Sequence, residues 1–173
     1  MEIQAIGVLP TLFHEIFIPL AVLQELQLPH FPSSVRAWAA SLPPWLKVET
    51  PSAPLPTSSS LHPGEAAAIA LALQKRADRI LLDDQKAIPV VEQLAAQQGL
   101  ALQARGTLAL LAIAAELRLI NLPHAIHRLV HETRFRATPV LIQRFFNPDP
   151  LLRQLIAGEA ARFRPPPDPH APH

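Results

Sequence analysis

The chain has 173 residues, of which 49% are hydrophobic and 17% charged, with a formal net charge of +1. This length and apolar content suffice for one good core, which excludes a wholly disordered protein and leaves little room for two full domains. Cysteine is absent, which excludes disulfide scaffolds, thiolate zinc sites and cysteine nucleophiles and fits a reducing, cytoplasmic environment.

Proline separates the elements of the first part of the chain: there are 20 prolines and only 5 glycines, which predicts short elements joined by stiff turns. The predicted elements are a helical turn over 6–13, a strand over 15–18, a helix over 20–28, a helix over 35–42 that Pro32-Ser33-Ser34 caps, and a strand over 45–49. Residues 50–60 are rich in proline and serine without a period, which predicts an exposed loop.

The middle of the chain alternates between helix and strand patterns. The predicted elements are a helix over 66–76 opened by Pro63-Gly64-Glu65, a strand over 79–82, a helix over 86–98 followed by Gly99, a strand over 100–103, and a helix over 108–119 capped at Gly106-Thr107. Short alternation of this kind is typical of βαβ units, so we expect a parallel sheet.

Beyond Asn121 the pattern is helical and the charge is basic. The predicted helices cover 123–132, 138–146 and 149–163, and the Pro/His-rich residues 164–173 are expected to be disordered. From 118 to 164 there are eight arginines against three acids, a balance of +5. Arginine suits the planar recognition of phosphate, and solvated helix faces are the other interpretation of such a cluster.

No apolar run reaches the ~18 residues that a membrane span needs, and Glu2 stands where a basic leader would carry a positive charge. We therefore expect neither a membrane segment nor secretion.

Acidic residues stand where a parallel sheet places its functional crevice, at the carboxyl ends of strands. Asp83 and Asp84 directly follow a predicted strand; a hard-metal site is one interpretation of the pair, and a cap on the next helix is the other one for Asp84. Glu65 lies in a first helical turn, where the helix dipole stabilises an acid that has no catalytic role, and Glu25 lies on an otherwise apolar helix.

Two further groups of residues suggest a ligand. Gly106-Thr107 presents a hydroxyl and free backbone N–H groups at a helix start, and Arg105 beside it would add a charge-assisted bond to phosphate. His124, His127 and His131 share one helix face, which raises a zinc site. Because no carboxylate at matching spacing completes that site, ordinary surface histidines are the preferred interpretation.

Four segments occur in a characteristic order: Leu12-Phe13 through Ile18-Pro19 to Glu25-Leu26, then residues 61–70, 77–84 and 106–108. Together they resemble PIN-domain proteins of the VapC-like branch, over roughly residues 6–120. The resemblance implies an α/β protein with a three-layer α/β/α fold and a short parallel sheet. It divides the chain into a PIN-like domain at 1–120, a helical extension at 121–163 and the tail at 164–173.

The resemblance also implies a function: a toxin-type ribonuclease, in which acidic residues hold Mg²⁺ or Mn²⁺ and the metal activates water to attack an RNA phosphodiester. The matching residues are Glu25 for the family's helix glutamate, Glu65 for the acid of the central helix, Asp83 or Asp84 for the acid after the next strand, and Thr107 for the hydroxyl residue near the pocket. RNA is then the expected substrate, a small antitoxin a possible partner, and a homodimer the expected assembly.

The chain departs from the family at its start. PIN proteins of this kind begin with an apolar strand that ends in a metal-binding aspartate, whereas residues 1–7 match the helix after that strand. We therefore expect this strand and its acid to be missing, through a late start codon or decay of the gene. The alternative function is a catalytically silent PIN-like protein that binds RNA or an antitoxin-like partner. A receiver-type phosphoacceptor role for Asp83-Asp84 ranks below both, because no suitable strand-end lysine is present.

Overall fold

The computed structural model describes residues 4–55, 61–133, 135 and 137–163. They form two compact units: the first contains the described residues of 14–107, and the second those of 4–13 and 108–163. The predicted disorder of 164–173 and part of the predicted loop, residues 56–60, lie outside the described residues. No described helix has the length and apolar content needed to cross a bilayer.

The elements confirm the predicted fold class, an α/β architecture with short parallel strands followed by C-terminal helices. In chain order they are a 3-10 helix over Gln4–Val8, α1 (Leu9–Leu12), β1 (Ile16–Pro19), α2 (Leu20–Leu26), α3 (Ser33–Ala40), β2 (Leu46–Glu49), α4 (Pro63–Gln74), β3 (Arg79–Leu81), α5 (Ala87–Gln97), β4 (Gln103–Arg105), α6 (Thr107–Glu116), α7 (Leu122–Glu132), α8 (Pro139–Phe146) and α9 (Pro150–Phe163).

The strands of the first unit pair in two parallel ladders. In one, β1 pairs with β2 and places Phe17 opposite Lys47; in the other, β3 pairs with β4 and places Ile80 opposite Ala104. Helix α4 connects β2 to β3 and packs against both β1 and β3. Because α4, α5 and α6 each follow a strand of a parallel pair, each of them begins on the side of a strand's carboxyl end.

The core of the first unit lies around α4, α5 and the β3–β4 ladder. Helix α4 is apolar on nearly all sides and buries Ile69 completely, while α5 buries Ala87 and Val91 completely. A fully buried aliphatic side chain of this size stabilises the folded state by about 1.5–3 kcal/mol relative to an exposed one. This core holds the starts of α4 and α5, and therefore the acids near them, in defined positions.

Two sequence predictions for the first unit are wrong in detail. The last strand was expected at 100–103, but it covers Gln103–Arg105, because the ladder pairs these residues with Arg79–Leu81. The buried Leu102 precedes the strand, so its burial does not mark a strand position. Of the predicted cap Pro32-Ser33-Ser34, Pro32 is the residue that flanks α3, whereas the two serines lie inside the helix and no side chain caps it.

The second unit contains the three C-terminal helices, which match their predicted ranges within one residue. Each begins after a polar residue: the side chain of Asn121 accepts a bond from the N–H of His124, Thr138 from Leu141, and Asp149 from Leu152. The Leu152 N–H bond, helped by Arg144, lowers the pKa of the Asp149 carboxyl below its ordinary value. Helices α6, α7 and α8 share a core that includes Leu108, Leu111 and Ile126.

Candidate functional site

Asp83 is the most firmly positioned acid of the first unit. It follows β3, is exposed, and accepts two hydrogen bonds from Thr107, at 2.7 Å from the backbone N–H and at 2.6 Å from the hydroxyl. Thr107 is the first residue of α6, so Asp83 reaches from the end of β3 to the N-terminus of the helix after β4. The positive end of the helix dipole and the two donors hold this carboxylate in one orientation.

Gly106 makes the contact between Asp83 and Thr107 possible. A β-carbon at residue 106 would lie 3.1 Å from Oδ1 of Asp83, closer than nearly all such contacts. The sequence marked Gly106-Thr107 as a turn and cap but gave no sign that the glycine makes room for an acid 23 residues earlier in the chain. One signal in the sequence could have indicated this contact: an acid follows one strand, and a Gly-Thr pair follows the next strand.

Asp84, the second acid of the pair, bonds the backbone just before α5. Its Oδ1 accepts the backbone N–H of Lys86 at 2.8 Å, and its carbonyl oxygen accepts the N–H of Ala87, the first residue of α5. Lys86 is the flanking residue of α5, whose start has no side-chain cap, so Asp84 holds the turn into the helix and does not cap it. The predicted metal role of Asp84 stays a prediction.

Glu25 lies against the start of α4. Its Oε2 is 3.0 Å from the place where a β-carbon on Gly64 would stand, and Val22 of the same helix α2 is 3.2 Å from it. Gly64 is buried and occupies the second position of α4, so the missing side chain lets the Glu25 carboxylate approach the positive end of this helix. The carboxylate of Glu25, from α2, therefore lies beside the first turn of α4, the turn that contains Glu65.

Glu65, one residue further along α4, also serves the helix locally. Its Oε2 accepts the backbone N–H of His62 at 3.1 Å, which satisfies a donor that a helix start leaves open. The capping role that the sequence offered as the simpler interpretation of Glu65 is therefore present. Its predicted metal role stays a prediction.

Arg105 is engaged within its own strand. Its guanidinium donates to the carbonyl oxygen of Ala104 at 2.8 Å and to Oε1 of Gln103 at 2.9 Å, and the residue is only half exposed. A phosphate contact by Arg105 would require at least part of this network to open. The predicted contact stays a prediction.

The histidines of α7 lie in the second unit. His127 and His131 are exposed, with ring centroids 4.4 Å apart, and His124 is exposed at the start of the helix. No group of three His, Cys, Asp or Glu side chains close enough to hold a metal occurs among the described residues. The described histidines therefore do not form a zinc site.

The four acids of the first unit that the sequence suggests as ligands of a divalent cation are Glu25, Glu65, Asp83 and Asp84. Their chemistry fits a hard cation, since all four are carboxylates. Their arrangement falls short, because the described residues contain no three-ligand group and Asp83, Asp84 and Glu65 each bond a backbone N–H. No buried side-chain oxygen or nitrogen in the described part of the chain lacks a partner, so no orphaned atom marks a metal position. The described carboxylates alone do not make a metal centre.

Fold and site together define an α/β protein with carboxylates at the ends of short parallel strands, next to helix N-termini. A family model described as a PIN domain matches residues 1–148. The chain therefore belongs to the PIN-domain family, which confirms the family part of the resemblance and supports a nuclease fold with RNA as a partner. No curated protein and no solved structure matches the chain.

Proposed function

We propose that the protein is a metal-dependent ribonuclease of the toxin type, in the VapC-like branch, that hydrolyses RNA phosphodiester bonds with carboxylate-bound Mg²⁺ or Mn²⁺. The observation that carries the proposal is the exposed carboxylate of Asp83, held at the end of β3 by two bonds from Thr107. An acid held in this way needs little reorganisation when it acts on a ligand. Membership of the PIN family supports the nuclease class.

Glu25 and Glu65 are the proposed companions of Asp83. Both stand at the first turn of α4, and Gly64 gives the Glu25 carboxylate the room to lie there. We place Asp83 ahead of Asp84 as a metal ligand, since Asp83 is exposed and held in one orientation by Thr107, whereas Asp84 is less exposed. Mg²⁺ or Mn²⁺ at such carboxylates would activate water and neutralise charge on the phosphate.

A further carboxylate outside the described residues would complete this set, on a strand between β1 and β3. Support comes from the two separate ladders: in the described part of the chain each has two strands, and α4 packs against one strand of each, β1 and β3. Parallel sheets are normally larger and covered on both faces. A strand that joined the two ladders would make one sheet of five strands and end beside the described acids.

Cleavage of single-stranded RNA in the presence of Mn²⁺ tests the site. We expect Asp83→Asn to lower the cleavage rate by more than about 100-fold. Loss of a residue that only orients a ligand typically lowers activity by roughly 10–100-fold. Asp84→Asn should retain activity, because the asparagine oxygen can accept the same N–H of Lys86. Asp78→Asn is the matched control, since Asp78 is an exposed acid at the opposite end of β3.

The outcomes separate the parts of the proposal. Equal cleavage by the Asp83→Asn variant and the unchanged chain would remove Asp83 from the site. Activity that appears only when the coding sequence is extended upstream of Met1, by an in-frame apolar segment with an aspartate, would support the fifth strand. An upstream sequence without such a segment, combined with full activity, would contradict it.

The lack of a three-ligand group among the described residues favours a second candidate function. In that case the protein is a catalytically silent PIN-like protein that binds RNA or a small antitoxin-like partner. Binding of single-stranded RNA without metal-dependent cleavage is the expected result. Turnover by the chain that begins at Met1, abolished by Asp83→Asn, would exclude this candidate.

A further inference from the structure

The second unit contains a cavity of about 320 Å³ that opens to solvent. Its apolar walls are formed by Leu12, Leu117, Leu119 and Phe163. Two of these walls are firmly packed, since Leu12 is buried and the Phe163 ring packs edge-on against Phe13 with centroids 5.4 Å apart. The volume lies at the lower end of the range of cavities that bind small ligands.

Two opposite charges stand at the same cavity, on Glu116 and Arg118. Both residues are exposed, and neither forms an ion pair within the described part of the chain. Charge complementarity contributes specificity to a contact of this kind. A ligand that suits the cavity therefore has an apolar body and carries both a positive and a negative group.

The chain continues from a wall of this cavity with a segment of that chemistry. Helix α9 ends at Phe163, and Arg164-Pro165-Pro166-Pro167-Asp168-Pro169 follows. The segment contains four prolines, one cation and one anion. Proline-rich segments favour the extended polyproline II conformation, so they lose little entropy when they bind in grooves lined by apolar and aromatic side chains.

We propose that residues 164–169 bind in this cavity, with the prolines against its apolar walls and the Asp168 carboxylate paired with the Arg118 guanidinium. A polyproline II chain rises ~3.1 Å per residue, so Asp168 can lie up to ~16 Å from Phe163. This reach is sufficient, because Phe163 itself lines the cavity. The segment lies beyond residues 1–148, which match the family, so the contact belongs to this chain in particular.

Covalent attachment makes a weak contact sufficient. A short tether gives its ligand an effective concentration in the mM range, so a segment with a Kd of ~1 mM as a free peptide is bound about half of the time. The bound Asp168 screens Arg118 from other anions. A phosphate that binds Arg118 therefore has to displace this segment.

The amide signals of the full chain in two-dimensional NMR spectra test the proposal. Replacing Pro165-Pro166-Pro167 by three glycines keeps the length of the segment but removes its preference for polyproline II, so the signals of Thr11 and Leu119, at the cavity, should shift. The substitutions lie outside the described helices and strands, so a shift cannot come from the loss of one. Pro172→Gly, beyond the proposed segment, is the control and should leave both signals in place. Unchanged signals in the triple variant would overturn the proposal.

Reversal of the two charges tests the ion pair. Asp168→Arg and Arg118→Asp should each lower the bound fraction, and the two together should restore it, read from the Thr11 signal. Aspartate suits residue 118, because it tolerates the left-handed conformation found there. Asp168→Asn should weaken binding about two- to fivefold, as expected for an exposed ion pair. If neither single reversal changes the bound fraction, the proposed pairing is wrong.

A concentration series identifies the occupant of the cavity. Binding within one chain leaves the position of the Thr11 signal independent of protein concentration. A signal that moves with concentration would assign the cavity to the segment of a second copy and overturn the proposal. Binding of an unrelated proline-rich peptide, in a chain whose Thr11 signal ignores every substitution at 164–169, would assign the cavity to another protein and overturn it as well. None of these results depends on the proposed ribonuclease activity.

Discussion

At the scale of single residues, the candidate site depends on two glycines that leave room for carboxylates. A β-carbon on Gly64 would lie 3.0 Å from a carboxylate oxygen of Glu25, and one on Gly106 would lie 3.1 Å from a carboxylate oxygen of Asp83. In both cases the absence of a side chain lets the carboxylate reach the positive end of a helix. Substitutions at these glycines act on the acids without altering any charge, which makes them informative.

Gly64→Ala tests whether the position of the Glu25 carboxylate matters for cleavage. Alanine favours a helix over glycine by about 1 kcal/mol, but its β-carbon would press on Glu25 and Val22, so we expect a change in the free energy of unfolding of less than about 1 kcal/mol. Displacement of the Glu25 carboxylate should lower RNA cleavage by roughly 10–100-fold. Urea unfolding and cleavage rates measure the two effects separately.

Gly7→Ala is the matched control, because Gly7 is exposed and a β-carbon there meets nothing within 4 Å. Cleavage by this variant should equal that of the unchanged chain. If Gly64→Ala also leaves cleavage unchanged, the position of Glu25 beside α4 has no role in the reaction.

The acids themselves were predictable from the sequence, and their partners were not. Asp83 and Asp84 follow a strand, and that position alone identifies the functional end of a parallel sheet. The bonds between Asp83 and Thr107 span 24 residues and depend on the pairing of β3 with β4. No local pattern contains that information, because it arises only when the ladder forms.

At the scale of elements, three helices end in the same way with different residues. After α4, α5 and α6 the chain turns through a left-handed residue with positive φ: Arg76 at 50°, Gly99 at 62° and Arg118 at 60°. In each case the next residue donates its N–H five residues back, as Leu119 does to Ala114. Glycine marks the end of α5 in the sequence, whereas arginine gives no such signal. The end of α6 was accordingly predicted at Leu119, three residues too late.

Arg118→Gly should therefore stabilise the protein. A left-handed conformation costs a residue with a side chain roughly 1–2 kcal/mol, part of which is offset by the greater freedom of glycine in the unfolded chain. We expect the free energy of unfolding to rise by about 1 kcal/mol, measured by urea denaturation. Arg118→Ala removes the charge but keeps the β-carbon, so it should give no such gain. Equal stability of the two variants would show that the arginine conformation carries no strain.

At the scale of the whole molecule, the basic character predicted for the C-terminal part is reduced by internal pairing. Arg128 pairs with Glu132, Arg144 with Asp149, and Arg162 with Glu159. Composition predicted the excess of arginine correctly but not the pairing, which depends on which helix faces the side chains share. Among the described residues of the second unit, Arg118 and Arg153 are the arginines without a carboxylate partner within ion-pair distance; Arg153 donates to the carbonyl oxygen of Pro148.

These two arginines are the ones we expect to contact RNA phosphates. Each phosphate contact on a single strand contributes about −0.7 to the slope of log Kobs against log salt concentration. Replacing both by glutamine should therefore make the slope less steep by about 1.4 and weaken binding to all sequences alike. Arg36→Gln, on the exposed surface of α3, is the control and should leave the slope unchanged. An unchanged slope in the double variant would mean that Arg118 and Arg153 do not contact RNA phosphates.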